Sequence, residues 1–246
     1  MPLRPRYLQS GHILINPGDD CDLIVDFMLE TRYSEDFCIS ASFNGKFLEE
    51  LMRAGFLVMS MELKDEDGAE DEIDEPIFIL LPKLHLIRSI LFFPELHIKK
   101  SIRSLISKYE LKVNTDFNLI LEKCIETHGA SWLTPPLVNI LKEMHKDSFS
   151  CEHLHPAPIS FAVYREGELK AGEIGIVTGR VYTSYSGYYE EDNSGTVQII
   201  LMAQWLEKTG FDFLDFGMPM AYKTALGARD IAPETFVQLF RAARYS

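Results

Sequence analysis

The sequence lacks the features of a membrane-spanning or disulfide-bonded protein. No uninterrupted apolar run reaches the roughly 18 residues that a membrane-spanning helix needs, and no apolar signal core follows the basic start of the chain. The four cysteines, Cys21, Cys38, Cys124 and Cys151, form no Cys-x-x-Cys pair. Scattered cysteines of this kind are typical of reduced thiols in the cytoplasm, so we expect a cytoplasmic protein that does not enter a membrane.

Motifs of several common enzyme classes are also missing. The chain has no Gly-x-Ser-x-Gly, His-Glu-x-x-His or Walker-type sequence. Cys151, His153 and His155 form Cys-x-His-x-His, but no fourth ligand at typical zinc spacing accompanies them. Pro156 and Pro158 favour a loop there. We therefore expect no metal and no bound cofactor.

Positive charge is scarce. The 24 lysines and arginines against 37 acids give a net charge of −13, which at first argues against a nucleic-acid partner. However, residues 62–75 contain nine acids and one base, so this segment carries −8 of the total and leaves −5 for the rest. Such a charge density, with Gly68 inside and Pro76 after it, predicts a solvated acidic loop.

The remaining composition supports a folded core, with 46% hydrophobic and 11% aromatic residues. A helical pattern at 47–56 and two apolar runs at 56–61 and 77–81, on either side of the acidic loop, predict a small α+β N-terminal domain. We place its boundary near Leu96, so that it spans residues 1–96 and a second domain spans residues 97–246.

The second domain begins with helices and continues with strands. Ile98, Ile102, Leu105, Ile106 and Tyr109 form one apolar stripe and predict a helix. The pattern then predicts helices at 115–127 and 135–147, strands at 159–164, 168–178 and 180–185, a helix at 196–208, a strand at 213–216 and a helix at 233–244. Strands followed by a helix, a strand and a helix are the order of a GNAT-like acyltransferase half, so the expected class is α+β.

Three segments carry a resemblance to a known family. They are residues 211–229, which contain Asp215 and Leu226-Gly227-Ala228, the sequence Ser131-Trp132-Leu133-Thr134-Pro135-Pro136, and residues 92–105. Together they resemble the aminoacyl-tRNA–protein transferases, whose best-known members move leucine or phenylalanine from tRNA onto a protein N-terminus. The resemblance implies charged tRNA and an acceptor protein as substrates, attack by the acceptor α-amine without an acyl-enzyme, and a role in marking proteins for degradation.

The resemblance implies a catalytic role for Asp215. In that family the matching Asp positions a Gln two residues later, and the pair assists removal of a proton from the amine. Here Gly217 stands at the Gln position. Two alternatives follow: Asp215 acts directly or through water at the mouth of a cleft, or another group such as Tyr185 replaces the Gln. The structural alternative is that Asp215 only caps a turn.

Glu173 matches an apolar position that lines the family's pocket for the transferred side chain. A carboxylate in such a pocket needs a cation, and a guanidinium would satisfy it with two hydrogen bonds. The alternative is that Glu173 faces solvent, because a shift of one residue in strand register reverses its face. The other expected pocket residues are Tyr182, Ile199, Met202, Leu214 and Gly217. Transfer of arginine and transfer of leucine or phenylalanine therefore both stay open.

The acceptor side of the family also differs here, because Tyr185 occupies the position of an acid that binds the acceptor's amino end. We therefore expect acceptors that begin with Asp or Glu. On the tRNA side, Trp132 is a plausible stacking platform for the terminal adenine. Four basic residues would contact acceptor-stem phosphates, or would simply form a solvated helix face: Lys99, Lys100, Arg103 and Lys108.

Two rival functions fit parts of the sequence. A coenzyme A-dependent GNAT enzyme would share the fold, but the Arg/Gln-x-x-Gly-x-Gly/Ala loop that cradles its phosphates is not found. A non-catalytic relative that binds tRNA or peptide would be consistent with the loss of the Gln at Gly217. The sequence predicts no oligomeric state.

Overall fold

The computed structural model describes residues 5–63, 75–147 and 155–245. The strands are β1 (Arg6–Tyr7), β2 (Ile13–Leu14), β3 (Leu57–Leu63), β4 (Ile77–Lys83), β5 (Arg88–Leu91), β6 (Glu110–Val113), β7 (Ala157–Arg165), β8 (Glu168–Thr178), β9 (Val181–Tyr189), β10 (Phe213–Asp215) and β11 (Arg229–Ile231). The helices are α1 (Cys21–Glu30), α2 (Gly45–Ala54), α3 (Lys100–Ile106), α4 (Phe117–His128), α5 (Pro135–Asp147), α6 (Ser194–Lys208), α7 (Ala221–Ala225) and α8 (Pro233–Ala243), with a 3₁₀ turn at Phe93–Glu95. Within these residues no helix has the length and apolar character of a membrane span.

A seven-stranded sheet organises the fold, in the order β11-β5-β10-β9-β8-β7-β6. Neighbouring strands in this sheet are antiparallel except β9 and β10, which run parallel and are joined through α6. One apolar cluster, with α3 and α6, covers one face of the sheet. A larger cluster, with α1, α2, α4, α5 and α8, covers the other. The predicted α+β class and the predicted order of strands, helix, strand and helix are therefore confirmed.

The predicted helix at 98–109 is shorter in the structure. α3 ends at Ile106, and Glu110–Val113 becomes the edge strand β6, paired with β7. Tyr109 lies in the segment between α3 and β6 and is buried, and its hydroxyl donates to Glu191 Oε1 over 2.5 Å. Pairing with a distant strand therefore overrides the local helical pattern, as tertiary contacts often do.

The strands predicted beside the acidic loop are confirmed as an antiparallel hairpin, β3–β4, in which Leu63 is opposite Ile77. Most of the acidic loop itself, residues 64–74, lies outside the described residues. The division into two domains at Leu96 stays a prediction. Strand β5, which precedes Leu96, lies between β10 and β11 of the large sheet, so the sheet itself extends across that position.

The Leu226-Gly227-Ala228 sequence docks on residues 92–97, the other segment that carried the resemblance. His97 N–H donates to the Leu226 carbonyl oxygen over 2.9 Å. Gly227 has φ of +100°, and a side-chain carbon placed there would overlap the carbonyl oxygen of Glu95. Gly227 thus allows a close backbone contact that no larger residue permits.

We expect Gly227→Ala to lower the free energy of unfolding by more than the ~1 kcal/mol of backbone strain at a positive φ, and up to ~3 kcal/mol. Urea unfolding measures the change. Gly210→Ala is the matched control, because Gly210 has φ of +89° but nothing within 4 Å of the added carbon. Equal losses in the two variants would show that the contact with Glu95 does not matter.

Candidate active site

Strands β9 and β10 separate after a short parallel pairing. Phe213–Asp215 pairs with Val181–Thr183, and β10 ends there, whereas β9 continues to Tyr189 against β8. The β8–β9 register shifts between Ile174 and Gly175, which leaves Tyr185 as an extra residue in a bulge. Among the described residues no strand pairs with the outer edge of β9 beyond Thr183. This opening beside a bulge, called here the β9–β10 gap, is a typical place for a substrate.

Asp215 is at the last position of β10 and is fully buried, with 0% of its surface exposed. Its Oδ1 accepts from Arg88 Nε over 2.8 Å and from Gly217 N–H over 2.9 Å. Its Oδ2 accepts from Arg88 Nη2 over 2.6 Å and from the Thr183 hydroxyl over 2.9 Å. The expectation that Asp215 lies at the mouth of a cleft is therefore wrong.

The protonation state of Asp215 follows from these contacts. Burial alone would raise its pKa, but the Arg88 guanidinium and the hydrogen bonds from Gly217 and Thr183 outweigh burial and lower the pKa below its ordinary value. Both oxygens are occupied and the carboxylate is held in its charged form, so it is a poor proton acceptor. The geometry fits a residue that caps the turn at Gly217 and positions Arg88.

Arg88 is a residue that the sequence reasoning missed. It is 1% exposed, and its guanidinium also lies 4.2 Å from the centre of the Phe236 ring. Its Nη1 is buried and has no hydrogen-bond partner among the described residues. A signal was present in the sequence, because Arg88 interrupts the apolar stretch at 84–93 and a buried arginine needs an acidic partner.

Gly217 follows Asp215 with φ of +70°. Its N–H is held by Asp215, and its carbonyl oxygen accepts from Ser89 N–H over 2.7 Å. A side-chain carbon at this position would lie 3.4 Å from both His85 Nε2 and Leu57 Cδ1. The loss of the family's Gln therefore coincides with a left-handed backbone and with a histidine beside the vacant position.

His85, also missed by the sequence reasoning, is 8% exposed. Burial lowers its pKa to about 3, and the nearby charges of Arg88 and Lys83 lower it further, against the opposing effect of Asp215. Its ring is therefore neutral across the physiological pH range. No hydrogen bond within the described part of the chain involves that ring.

Glu173 faces the interior, so of the two alternatives for this residue the solvent-facing one is wrong. It is 4% exposed and lies on β8 between Phe161 of β7 and Gly187 of β9. Burial raises its pKa to about 7, against the opposing effects of Ser184, Tyr182, Lys223 and Gln198 around it. Its Oε1 and the Tyr182 hydroxyl are both buried and make no hydrogen bond of good geometry among the described residues, although the two groups lie close enough to interact with each other.

Lys223 lies near both carboxylates and was also missed. Its Nζ donates to the carbonyl oxygens of Phe216 and Met218, over 2.8 Å each, and so fixes the chain that leaves β10. Burial lowers its pKa, while Glu173 and Asp215 counteract that effect. Within the described residues it forms no ion pair within 4 Å. Glu173 therefore has a cation nearby but forms no ion pair with it within the described residues.

The other expected pocket residues are brought together, but as packed core. Tyr182, Ile199, Met202 and Leu214 are all buried in the apolar cluster on the α6 face. Glu173 shares that face with Ala171 and Val177 of the same cluster. Asp215 and Thr183 lie on the opposite face. The two carboxylates therefore approach the β9–β10 gap from opposite sides of the sheet.

Tyr185, the alternative proton acceptor, lies beside Trp132. Their ring centres are 6.4 Å apart, and the Tyr185 hydroxyl accepts from Val58 N–H over 2.9 Å. Burial raises the pKa of Tyr185 far above its ordinary value, so its hydroxyl stays protonated. The suggestion that Tyr185 removes a proton is therefore disfavoured. Trp132 is half-buried, and its backbone is fixed by a hydrogen bond from Ser60 N–H.

The predicted basic face is solvent-exposed. Its members, Lys99, Lys100, Arg103 and Lys108, lie on and around α3 and form no ion pair within the described residues. Their role toward tRNA stays a prediction. Of the Cys-x-His-x-His sequence, Cys151 and His153 lie outside the described residues, and the His155 ring lies 3.2 Å from Glu49 Oε2 and 3.2 Å from Arg53 Nη2.

Comparison with known proteins identifies a family whose matched region contains the strands that form this gap. A family model described as leucyl/phenylalanyl-tRNA protein transferase matches residues 90–241, more than half of the chain. The chain therefore belongs to the leucyl/phenylalanyl-tRNA–protein transferase family.

Two curated relatives show the degree of similarity. The chain is 30% identical over 154 residues to the leucyl/phenylalanyl-tRNA–protein transferase of Pseudomonas entomophila, a match that covers 61% of this chain and 65% of the relative. It is 26% identical over 162 residues to that of Maridesulfovibrio salexigens, covering 63% and 65%. The matched part thus spans slightly less than two thirds of the relatives' length.

Among solved structures the likeness is weaker. FemX has a TM-score of 0.43 at 12% identity, over 94% of this chain and 83% of that chain. A GCN5-related N-acetyltransferase from Anabaena variabilis has a TM-score of 0.40 at 9% identity, over 88% and 49%.

Proposed function

We propose that the protein transfers one amino acid from a charged tRNA to the N-terminal α-amine of an acceptor protein. The observation that carries this proposal is that the matched family segment, residues 90–241, contains the β9–β10 gap with its buried charged groups. Most of the residues around the gap come from that segment: Glu173, Tyr185, Asp215, Gly217 and Lys223. His85 and Arg88 come from the chain just before it.

The reaction needs positioning more than covalent help. The aminoacyl ester of tRNA is already activated, so the protein has to hold its carbonyl group beside the amine, accept a proton and stabilise the oxyanion. The unpaired edge of β9 offers backbone groups for holding an extended substrate in the gap. Asp215 and Lys223 stabilise this gap, because they fix the turn at Gly217 and the chain to Met218.

The chemistry around Glu173 supports arginine as the transferred amino acid. A buried carboxylate oxygen and a buried tyrosine hydroxyl without partners are unfavourable unless a ligand group satisfies them. A guanidinium matches that need with its several N–H donors, and Ile199 and Met202 offer apolar surface for its aliphatic stem. Leucine or phenylalanine would leave the carboxylate unsatisfied.

The remaining parts of the proposal concern the two substrates. Trp132 would stack on the terminal adenine, and the exposed basic face around α3 would contact acceptor-stem phosphates. The absence of an acid at Tyr185 suits acceptors beginning with Asp or Glu, which the transfer would mark for degradation. We place this reaction in the cytoplasm, in keeping with the free, buried thiols of Cys21, Cys38 and Cys124.

The decisive experiment offers radiolabelled amino acids, charged on a total tRNA pool, to peptides that begin with Asp, Glu, Arg, Lys or Ala. We expect arginine to be incorporated, mainly into the Asp and Glu peptides. Glu173→Leu should lower arginine incorporation about a hundredfold, the loss expected for a charge-assisted hydrogen-bonded pair worth ~3 kcal/mol. Glu168→Leu is the matched control, because Glu168 is on the same strand but exposed.

The other outcomes separate the alternatives. Incorporation of leucine or phenylalanine that is unaffected by Glu173→Leu would contradict arginine specificity but keep the transferase activity. Binding of charged tRNA without transfer would favour a non-catalytic relative. The fact that both oxygens of Asp215 are already hydrogen-bonded is also consistent with that alternative. Binding of acetyl-CoA would favour a coenzyme A-dependent acyltransferase.

A further inference from the structure

We propose that His85 is the group that takes the proton from the attacking α-amine. The proposal rests on the transfer reaction proposed above and adds a catalytic residue to it. It also places part of the active site in the chain before residue 90, where the family match begins.

The position of His85 is the first support. Its Nε2 lies 3.4 Å from the place that a side chain of Gly217 would take, directly after the last residue of β10. Because Gly217 has no side chain, this residue does not cover the His85 nitrogen. His85 therefore lies next to Gly217, together with Leu57, where β10 ends and the β9–β10 gap begins.

The hydrogen-bonding state of His85 is the second support. The ring is 8% exposed, yet neither of its nitrogens has a hydrogen bond within the described residues. A neutral imidazole carries one donor and one acceptor, and neither His85 nitrogen is among the fully buried atoms that lack a partner, so these nitrogens keep some contact with solvent and can be reached by a substrate. An amine in the gap would supply the missing donor to the free nitrogen.

The other ionisable groups at the gap are unsuited to this role. Asp215 uses both oxygens in four hydrogen bonds. Tyr185 is held protonated by burial. Lys223 uses its Nζ on two carbonyl oxygens, and Glu173 lies on the opposite face of the sheet. His85 is the remaining group with a free lone pair among the described residues around Gly217.

The step is balanced without any further reactant. The amine nitrogen attacks the ester carbonyl carbon, a C–N bond forms, and the C–O bond to the ribose oxygen of the terminal adenosine breaks. One proton moves from the amine nitrogen to His85 and then to the departing ribose oxygen. Burial, Arg88 and Lys83 lower the pKa of His85 to about 3, so the imidazolium is not a stable intermediate, and the proton passes through His85 to the ribose oxygen in one concerted step.

The test compares His85→Ala and His85→Gln with the wild-type protein under single-turnover conditions. The substrate is tRNA charged with the amino acid that the wild type transfers best. We expect the transfer rate of His85→Ala to fall about 10²–10⁴-fold, as for loss of a general base, with the affinity for charged tRNA within about twofold. Free imidazole should restore part of the lost rate.

His85→Gln, whose amide accepts a hydrogen bond but does not take up a proton, should show a loss in the same direction. His12→Ala is the control, because the described contacts of the His12 ring are with Ser10, Glu35 and Phe37 and not with the residues assigned to the gap. Thermal unfolding verifies that each variant is folded, and if His85→Ala is not, His85→Gln decides the question.

Several results would overturn the assignment. A normal transfer rate in either His85 variant would do so. A loss of rate in His85→Ala would also do so if imidazole does not restore it and if it equals the loss of affinity for charged tRNA. The failure of the proposed function is distinct, because the wild type would then transfer no amino acid from any charged tRNA.

Discussion

Arg88→Ala is expected to lower the free energy of unfolding by about 3–5 kcal/mol, because it leaves Asp215 as a buried, uncompensated carboxylate. The two side chains are 1% and 0% exposed and share two hydrogen bonds of 2.8 and 2.6 Å. Water cannot replace the guanidinium at such a site without opening the protein. The same change should release the turn at Gly217 and abolish measurable transfer.

Urea unfolding at neutral pH measures this loss. The matched control is Arg180→Ala, which breaks the exposed ion pair with Asp212 and should cost less than about 1 kcal/mol. The double variant Arg88→Met/Asp215→Leu should recover much of the stability of Arg88→Ala, because two apolar groups leave no buried charge. A loss below about 1 kcal/mol in Arg88→Ala would show that the pair is solvated in solution.

The loss of stability caused by Arg88→Ala should also depend on pH, and it should be smaller in acid than at neutral pH. The pKa of Asp215 is lowered in the folded state, below its ordinary 3.8. The contribution of its ionised form is therefore fully present above the unfolded pKa and is lost as the pH falls through the folded pKa. In Arg88→Ala burial is no longer opposed by the guanidinium and raises the pKa of Asp215, so the difference between the two proteins should begin to shrink above about pH 4 and shrink further in acid.

Glu173→Gln is expected to have the opposite effect and to stabilise the protein at alkaline pH. Burial raises the pKa of Glu173 from 4.5 to about 7. The folded state thus favours the neutral carboxyl, and this contribution is fully present below pH 4.5 and is lost as the pH rises through about 7. Glutamine resembles the neutral form at every pH. The variant should exceed the wild type by on the order of 3 kcal/mol at pH 8 and match it near pH 4.

Urea unfolding of both proteins between pH 4 and 9 tests this expectation. Glu168→Gln serves as control, because Glu168 is exposed and its pKa is lowered by Lys170, so the variant should gain no stability at alkaline pH. Parallel profiles for Glu173→Gln and wild type would mean that Glu173 is ionised or solvated in the folded protein. A bound arginine side chain should reduce the difference, because a guanidinium beside Glu173 favours the ionised form.

The two predictions concern groups that meet at one structural feature. Asp215 and Glu173 lie on opposite faces of the sheet, and Lys223 interacts electrostatically with both. The gap between β9 and β10 thus has an ionised carboxylate with a lowered pKa on one side and a carboxyl group whose pKa is raised to about 7 on the other. Among the described residues only the first carboxylate has an ion-pair partner, so the second is the one that a cationic ligand would pair with.

The sequence was a good guide to local structure wherever side chains alternate or repeat over many residues. Strand β8 was predicted at 168–178 and is observed at Glu168–Thr178. The long helix predicted at 196–208 is observed at Ser194–Lys208. Edge strands were harder, because β6 follows a helical apolar stripe and becomes a strand only through its pairing with β7.

Site residues were predicted with less success, since their properties depend on contacts that are distant in the sequence. Asp215 was correctly singled out, but its partner Arg88 lies 127 residues earlier, and that pairing decides its charge and burial. Glu173 was recognised as unusual, but its face was undecided until the pairing with β7 and β9 fixed it. His85 carried no motif at all, and only its position beside Gly217 distinguishes it.

The sequence by itself therefore determined the α+β class, the order of the long strands and helices from β7 to α6 and, through the segments around Asp215 and Trp132, the family. These features are encoded in local periodicity and in short runs of residues, which do not require knowledge of the fold. Tertiary structure alone decided which carboxylate is ionised, which faces inward and which histidine borders the gap. Those properties depend on burial and on charges brought close by the sheet, and neither can be deduced from neighbours in the chain.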